Sequence, residues 1–409
     1  MFSKLLSIFF LCLPSVFATQ RHVYWFSDMH LDNEYRPGAP DFCALDSKVG
    51  ITCCRWYNLP IHGSHPASGW GDYHCDSPPK MVSLLMNLTK SDLFPLYEPH
   101  TLLFTGDIVD HHDVLQSFSH NMHEVEMGTN RIRDLNVSHT IMVIGNHDTW
   151  PIDQVNSHLT HHLLGYWGQW IPSEQVHDFL EGGYYVVQVT PGLRAIVMNN
   201  LYDDTHDIVI GKAKNPGNQT SWLEASLLEA KAQGQKVWLV GHIPPNTGEA
   251  DVRYRHLLGE MTKKYGDIIV GQLFGHTHRD SFFLYLNSSG ETYGSGLITP
   301  SIVPDRHDPS LRILTFDDET LTLLNYQVYI MNLTTLIQED KAELTLLYDA
   351  CETYGLDDLT TPSMTSLWET LKTNHSLAEV YLKNFYVGSP QPCDDACLKG
   401  MIGSIGFPL

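Results

Sequence analysis

The stretch VIGNHDTW, residues 143–150, decides how this chain is read. Residues 141–144, which lead into its polar trio, are all apolar and have the composition of a buried strand. Gly145 follows, and then Asn146, His147 and Asp148 stand together. Three polar side chains in a row are costly inside a core. They cost little where a strand opens into a site, and layered α/β proteins bind ligands beyond the carboxyl ends of their strands. The trio is therefore expected at such an end.

Four other apolar runs finish in the same style. FSDMH leaves Asp28 and His30 after the first run, and FTGD leaves Asp107 after the second. VGH leaves His242, and FGHTH leaves His276 and His278. Alternate spacing in Asp28/His30 and His276/His278 would place each pair on one face of an extended backbone. Glycine precedes Asp107, Asn146, His242 and His276, where it is expected to allow a sharp turn and a close approach of ligand. Carboxylate, imidazole and amide oxygen are metal-ligand chemistry. These residues, Asn146 included, are too many for one tetrahedral ion and suit two metals about 3.5–4 Å apart that share a carboxylate. Each ending alone is weak, because His-x-His is more often structural and Gly-Asp is a common turn. Their repetition in one order carries the reading.

Around these endings the chain alternates strands and helices, which implies a layered α/β fold. Residues 21–27, 101–105, 139–144, 236–240 and 267–274 read as strands, and 184–189 with 193–198 as an antiparallel pair. Residues 80–90, 114–135 and 220–232 read as helices, with several more strands expected up to about residue 330. The segment between the first strand and residue 80 is rich in Gly, Pro, Cys and Trp and reads as one long stapled loop. Residues 332–385 turn helical, and no internal repeat is present.

Composition is that of a globular chain, with 43% hydrophobic and 18% charged residues, enough for a large core. A formal charge of −22 argues against a nucleic acid polymer as partner, since phosphate binding wants Lys and Arg. Protonating the 23 histidines would bring the chain near neutrality, which fits an acidic compartment. Residues 1–18 read as a secretory signal: Lys4 is basic, residues 5–13 are apolar but too short to span a bilayer, and Ala18 offers a cleavage site. No later segment reaches about 18 apolar residues, and the MIGSIGFPL terminus is too short for a lipid-anchor signal. Six sequons, at Asn87, Asn136, Asn218, Asn287, Asn332 and Asn374, agree with a secreted or lysosomal glycoprotein. Cys43, Cys53, Cys54 and Cys75 crowd the long loop and suggest two bridges, or alternatively a zinc site at the Cys53-Cys54 pair. Cys393 and Cys397 suggest a small clip, and Cys351 is left over, expected free and buried in a helix.

The ordered set D-x-H, G-D, G-N-H-D, G-H and G-H-T-H resembles the calcineurin-like metallophosphoesterases. CDSP (residues 75–78), GDIVDHH (106–112), GNHDTWP, GHIPP, GQLFGHTHRDS, ETYGL and CDDAC narrow the resemblance to acid sphingomyelinase and its sphingomyelinase-like phosphodiesterase relatives. The resemblance covers nearly the whole mature chain. It implies a four-layer metallophosphoesterase β-sandwich flanked by helices over residues 19–330, with a small helical C-terminal region over 331–409. It implies one Zn²⁺ on Asp28, His30 and His278, a second on Asn146, His242 and His276, and Asp107 bridging them. His111 and His147 match the family's catalytic histidines, and Asp148 would support them from behind. The activity implied is hydrolysis of a phosphodiester by metal-activated water, on sphingomyelin with release of phosphocholine or on nucleotide-type diesters. The first catalytic strand follows the signal directly, so a preceding saposin domain is not expected. The aromatics Trp56, Tyr57 and Trp70 offer peripheral contact with a membrane or simple loop packing. The rival reading is a catalytically silent secreted protein that keeps the fold and metals. Nothing in the sequence sets the oligomeric state.

Overall fold

Strands form where the apolar runs are. The computed structural model describes residues 20–43, 53–112, 116–156, 158–210, 213, 215–389 and 391–409, so the signal segment and Cys12 lie outside it. Strand β1 (Gln20–Phe26) buries its last four residues completely. Strands β2 (Pro99–Phe104) and β3 (His139–Met142) lie beside it in parallel. The antiparallel pair β4 (Tyr185–Thr190) and β5 (Leu193–Val197) starts a second sheet. Strands β6 (Lys236–Val240) and β7 (Ile269–Phe274) continue it in parallel with β5. Strands β8 (Ser281–Leu286) and β9 (Thr292–Ile298) form the next antiparallel pair. Strands β10 (Ser310–Asp317) and β11 (Leu323–Met331) then return to the first sheet, where β10 runs antiparallel to β1.

The region after residue 331 is not purely helical. LTLLYD forms strand β12 (Leu344–Asp349), and Gly406–Pro408 forms β13. These strands pair with β11 and β8, giving sheet orders β12-β11-β10-β1-β2-β3 and β13-β8-β9-β7-β6-β5-β4. Open sheet edges recruited both segments, a tertiary effect that local pattern does not register. Helices Leu333–Glu339, Thr361–Thr373, His375–Phe385 and Asp395–Gly403 make up most of the remainder.

The two sheets share one core: Trp238 of β6 meets Phe316 of β10 edge to face at 5.2 Å. Outside the second sheet, Leu223, Leu227 and Leu258 of helices Gln219–Ala232 and Val252–Tyr265 pack on Ile196, Leu239 and Phe274. Helices Pro79–Leu88 and Phe118–Asp134 contribute to the core of the first sheet. This is a layered α/β sandwich with helices outside.

In the long loop, Cys43 bridges Cys53 and Cys54 bridges Cys75, and at the C-terminus Cys393 bridges Cys397. Zinc ligation by Cys53 and Cys54 is thereby overturned, because no thiolate is left there. Cys351 is free, but it is half-buried rather than buried, with its thiol on the Leu324 carbonyl at 3.2 Å. Among the described residues no helix is long and apolar enough to cross a membrane.

Candidate metal centre

Each candidate ligand stands a few residues past the end of a parallel strand. Asp28 and His30 follow β1, Asp107 follows β2, Asn146 follows β3, His242 follows β6, and His276 and His278 follow β7. The expectation of an extended backbone at the alternating pairs is wrong. Asp28 (φ 50°), His30 (φ 40°), Asp107 (φ 61°), His276 (φ 72°) and His278 (φ 57°) all lie in the left-handed region. That conformation costs a non-glycine residue about 1 kcal/mol or more, and it bends each strand end so that the side chain turns inward. The glycine expectation also needs correction. Gly106 does use a positive φ of 96°, but at Gly145 and Gly275 the constraint is space, since a Cβ would collide with Asp107 in one case and with Ser27 in the other. Asp148 ties two of these turns together. Its carboxylate accepts from the backbone N–H of Gly145 at 2.8 Å and of Ile108 at 2.7 Å. The bond from the Asp107 N–H is 3.2 Å.

All seven side chains converge, in two groups that meet at Asp107. Its Oδ2 lies 3.6 Å from His30 Nε2 and 3.1 Å from His242 Nε2. On one side His278 Nε2 is 3.1 Å from His30 Nε2 and 3.6 Å from Asp28 Oδ1. On the other, Asn146 Oδ1 is 2.9 Å from His242 Nε2 and 3.1 Å from His276 Nδ1.

The outward faces of these rings explain the inward ones. His30 Nδ1 donates to the Val109 carbonyl at 2.8 Å, and His242 Nδ1 to the Thr105 carbonyl at 2.6 Å. His276 Nε2 meets the Glu249 carboxylate, and His278 Nδ1 lies 3.5 Å from Asp305 Oδ2. Asn146 Nδ2 donates to Asp153 Oδ1 at 2.9 Å, which turns its carbonyl oxygen into the cluster. An acceptor on the outer nitrogen assigns the proton there and leaves a lone pair on the inner one. With both rings neutral, His30 and His278 would aim lone pairs at each other across 3.1 Å with no proton to join them, although Asp305 and Asp28 raise His278 against the pull of burial. A cation resolves this, and the donor set fits one. Without it, protons take the role. Burial alone would lower His242, yet Asp107 beside it raises it to about 10. Asp107 in turn is held well below the usual carboxylate range by His242 and its other histidine neighbours, against the pull of burial.

His111 and His147 stand beside this cluster. The His111 ring stacks on His30 with centroids 3.6 Å apart and meets His147 at 4.4 Å. Burial pushes His111 down to about 3 and His147 to about 4, so both are neutral near pH 7. The neighbouring His112 instead pairs with the Tyr57 hydroxyl at 3.1 Å. His111, His147, Asp107 and Asn146 line a cavity of about 490 Å³, with Asp153 and Glu249 on its wall. No Lys or Arg lines it among the described residues.

The sequence reading missed the outer partners: Glu249, Asp305 and Asp153, and behind His111 the carboxylate of Asp76. No spacing rule joins them to their ligands, because they come from separate loops. Of the sequons, Asn87, Asn136, Asn218 and Asn374 are exposed, while Asn287 and Asn332 are half-buried.

The calcineurin-like phosphoesterase family model matches residues 22–280, which hold all seven candidate ligands, His111 and His147. The chain belongs to that family. A second model, the acid sphingomyelin phosphodiesterase C-terminal region, matches residues 298–407. Membership implies a dinuclear metal centre, and the converging side chains are its candidate ligands. The chain is 30% identical over 401 residues to sphingomyelin phosphodiesterase A of Dictyostelium discoideum, covering 92% of this chain and 64% of that relative. It is 29% identical to acid sphingomyelinase-like phosphodiesterase 3b of Homo sapiens, covering 91% of this chain and 85% of the relative. It is 28% identical to the cyclic GMP-AMP phosphodiesterase SMPDL3A of Homo sapiens, covering 93% and 86%. The chain thus spans less than two thirds of the first of these relatives.

Proposed function

We propose that this chain is a secreted or lysosomal di-zinc phosphodiesterase. The observation that carries the reading is the set of four histidines, each with its outer nitrogen against an acceptor and its inner nitrogen turned toward Asp28, Asp107 or Asn146 and another ring. Asp28, His30 and His278 would hold one Zn²⁺, Asn146, His242 and His276 the other, and Asp107 both. Imidazole-rich ligation with one amide and two carboxylates suits zinc. The metals would supply Lewis-acid polarisation of the phosphoryl oxygens and lower the pKa of bound water. Two dications with two aspartate ligands leave the metal cluster itself at about +2, which attracts a phosphodiester anion.

The protein's own groups do the rest. His147 is held over the site by its backbone N–H, which donates to Asp107 Oδ1 at 2.9 Å. Its imidazole, which burial holds neutral near pH 7, would gain a proton when an anionic diester arrives and pass it to the departing oxygen. His111 lies beside it and serves the same anion. Activity should rise and then fall with pH, and the alkaline limb should belong to this acid.

The cavity wall carries Asp153 and Glu249, so a diester with a single phosphate and a neutral or cationic far end is favoured over a polyphosphate. A sphingomyelin-type substrate releasing phosphocholine therefore ranks first and nucleotide-type diesters second; the names of the relatives include both. We take residues 1–18 as a signal peptide, 19–330 as the catalytic unit and 331–409 as its C-terminal region, with glycans on the six sequons. At Asn332 and Asn374 the side-chain oxygen caps a helix, which leaves the amide nitrogen for a glycan. Purified protein on sphingomyelin vesicles, CDP-choline and ATP tests the ranking. Failure to hydrolyse even bis(4-nitrophenyl) phosphate at pH 5 and pH 7 would favour the silent alternative.

A further inference from the structure

The CDSP motif and the arginine after the paired cysteines take no part in the metal cluster, yet they lie directly behind His111. Asp76 Oδ1 is 2.7 Å from His111 Nδ1, and Asp76 Oδ2 accepts the His111 backbone N–H at 3.0 Å. One carboxylate therefore grips both the ring and the main chain of one residue. Arg55 Nη2 holds the same Oδ2 at 3.3 Å and reaches Asp110 at 3.1 Å, while Arg55 Nε lies 3.0 Å from Asp32. Arg55, Asp76, Asp32 and Asp110 are all fully buried. Arg55 and Asp76 each follow one half of the Cys54–Cys75 bridge, so the disulfide fixes the two backbones beside each other.

We propose that Asp76 is a positioning residue, which holds the His111 imidazole in one rotamer and one tautomer with Nε2 left for the cavity, and that Arg55 anchors Asp76 for this task. The inference rests on the phosphodiesterase reading for its consequence, though not for its geometry. With Nδ1–H committed to Asp76, the ring cannot rotate without breaking that bond. The long stapled loop then has a role: its two disulfide-flanked residues build the wall that orients one histidine of the site. The alternative is that Asp76 merely neutralises Arg55, in which case its loss would lower stability without acting through His111.

A double-mutant cycle separates these. Asp76→Asn should lower kcat on bis(4-nitrophenyl) phosphate about 10–100-fold and move KM by less than about threefold, with zinc content unchanged. In a His111→Ala background the same change should cost less than about twofold. Equal losses in both backgrounds would overturn the proposal. A second measurement needs no Asp76 variant. In ¹⁵N spectra of histidine-labelled, zinc-loaded protein, the signals lost in His111→Ala should report a protonated Nδ1 and a bare Nε2. The opposite tautomer would overturn the proposal even if Asp76→Asn fails to fold. If the unaltered protein hydrolyses no phosphodiester, the functional reading fails, and these spectra still decide the geometry.

Discussion

Two buried polar clusters lie side by side in this molecule, and they are solved in opposite ways. Around Arg55, the carboxylates of Asp32, Asp76 and Asp110 find their counter-charge within the chain. His120 adds a second cationic partner, 3.4 Å from both Asp110 and Glu124. At the strand ends, Asp28 and Asp107 face imidazole lone pairs whose outer nitrogens are already committed. The first cluster supplies its own cation. The second closes only with protons on its histidines, as on His242 beside Asp107, or with a cation in their place. A buried ion cluster is therefore a structural or a catalytic device according to whether its charges close internally.

Four experiments sharpen or break that contrast. Chelation of the protein, or Asp107→Asn, should reduce phosphodiester hydrolysis to background; full activity of metal-free protein would refute the mechanism. His147→Ala should cost about 10²–10⁴-fold on substrates with an alkoxide leaving group and much less on phosphoanhydrides, which leave without help. Equal losses on both would remove the general-acid role. Arg55→Met should destabilise the fold by about 3–5 kcal/mol, because it strands buried carboxylates. That penalty should be the same in zinc-loaded and chelated protein, and denaturant unfolding of all four samples reads it. The smallest effect concerns His120, which Asp110 and Glu124 raise to about 10. Its charged form stabilises the fold fully below about pH 6.5, and the gain is lost as pH climbs toward 10. The difference in Tm between the wild type and His120→Gln should therefore shrink from pH 6 to pH 10.

The same contrast explains what the sequence disclosed. All seven candidate ligands were legible, because each follows an apolar strand by two to four residues and the pattern repeats. The layered fold was legible for the same reason. The means of convergence was not. Alternation suggested extended pairs, whereas Asp28, His30, His276 and His278 turn inward through left-handed backbone. Only glycine marks that conformation strongly; aspartate and asparagine mark it weakly. The pairings of Asp76, Glu249 and Asp305 were not legible, although Asp76 sits in the CDSP motif, because their partners come from other loops and pairing across loops leaves no spacing. Strand β12 was missed because an open edge at β11, not its own pattern, made LTLLYD a strand.

The most direct test of the account is metal content. Purified chain, dialysed against buffer with trace zinc and analysed by inductively coupled plasma mass spectrometry, should carry two zinc ions per molecule, and Asp107→Asn should carry fewer. A folded wild-type chain that binds no divalent metal would contradict the claim that these seven side chains form a cation site.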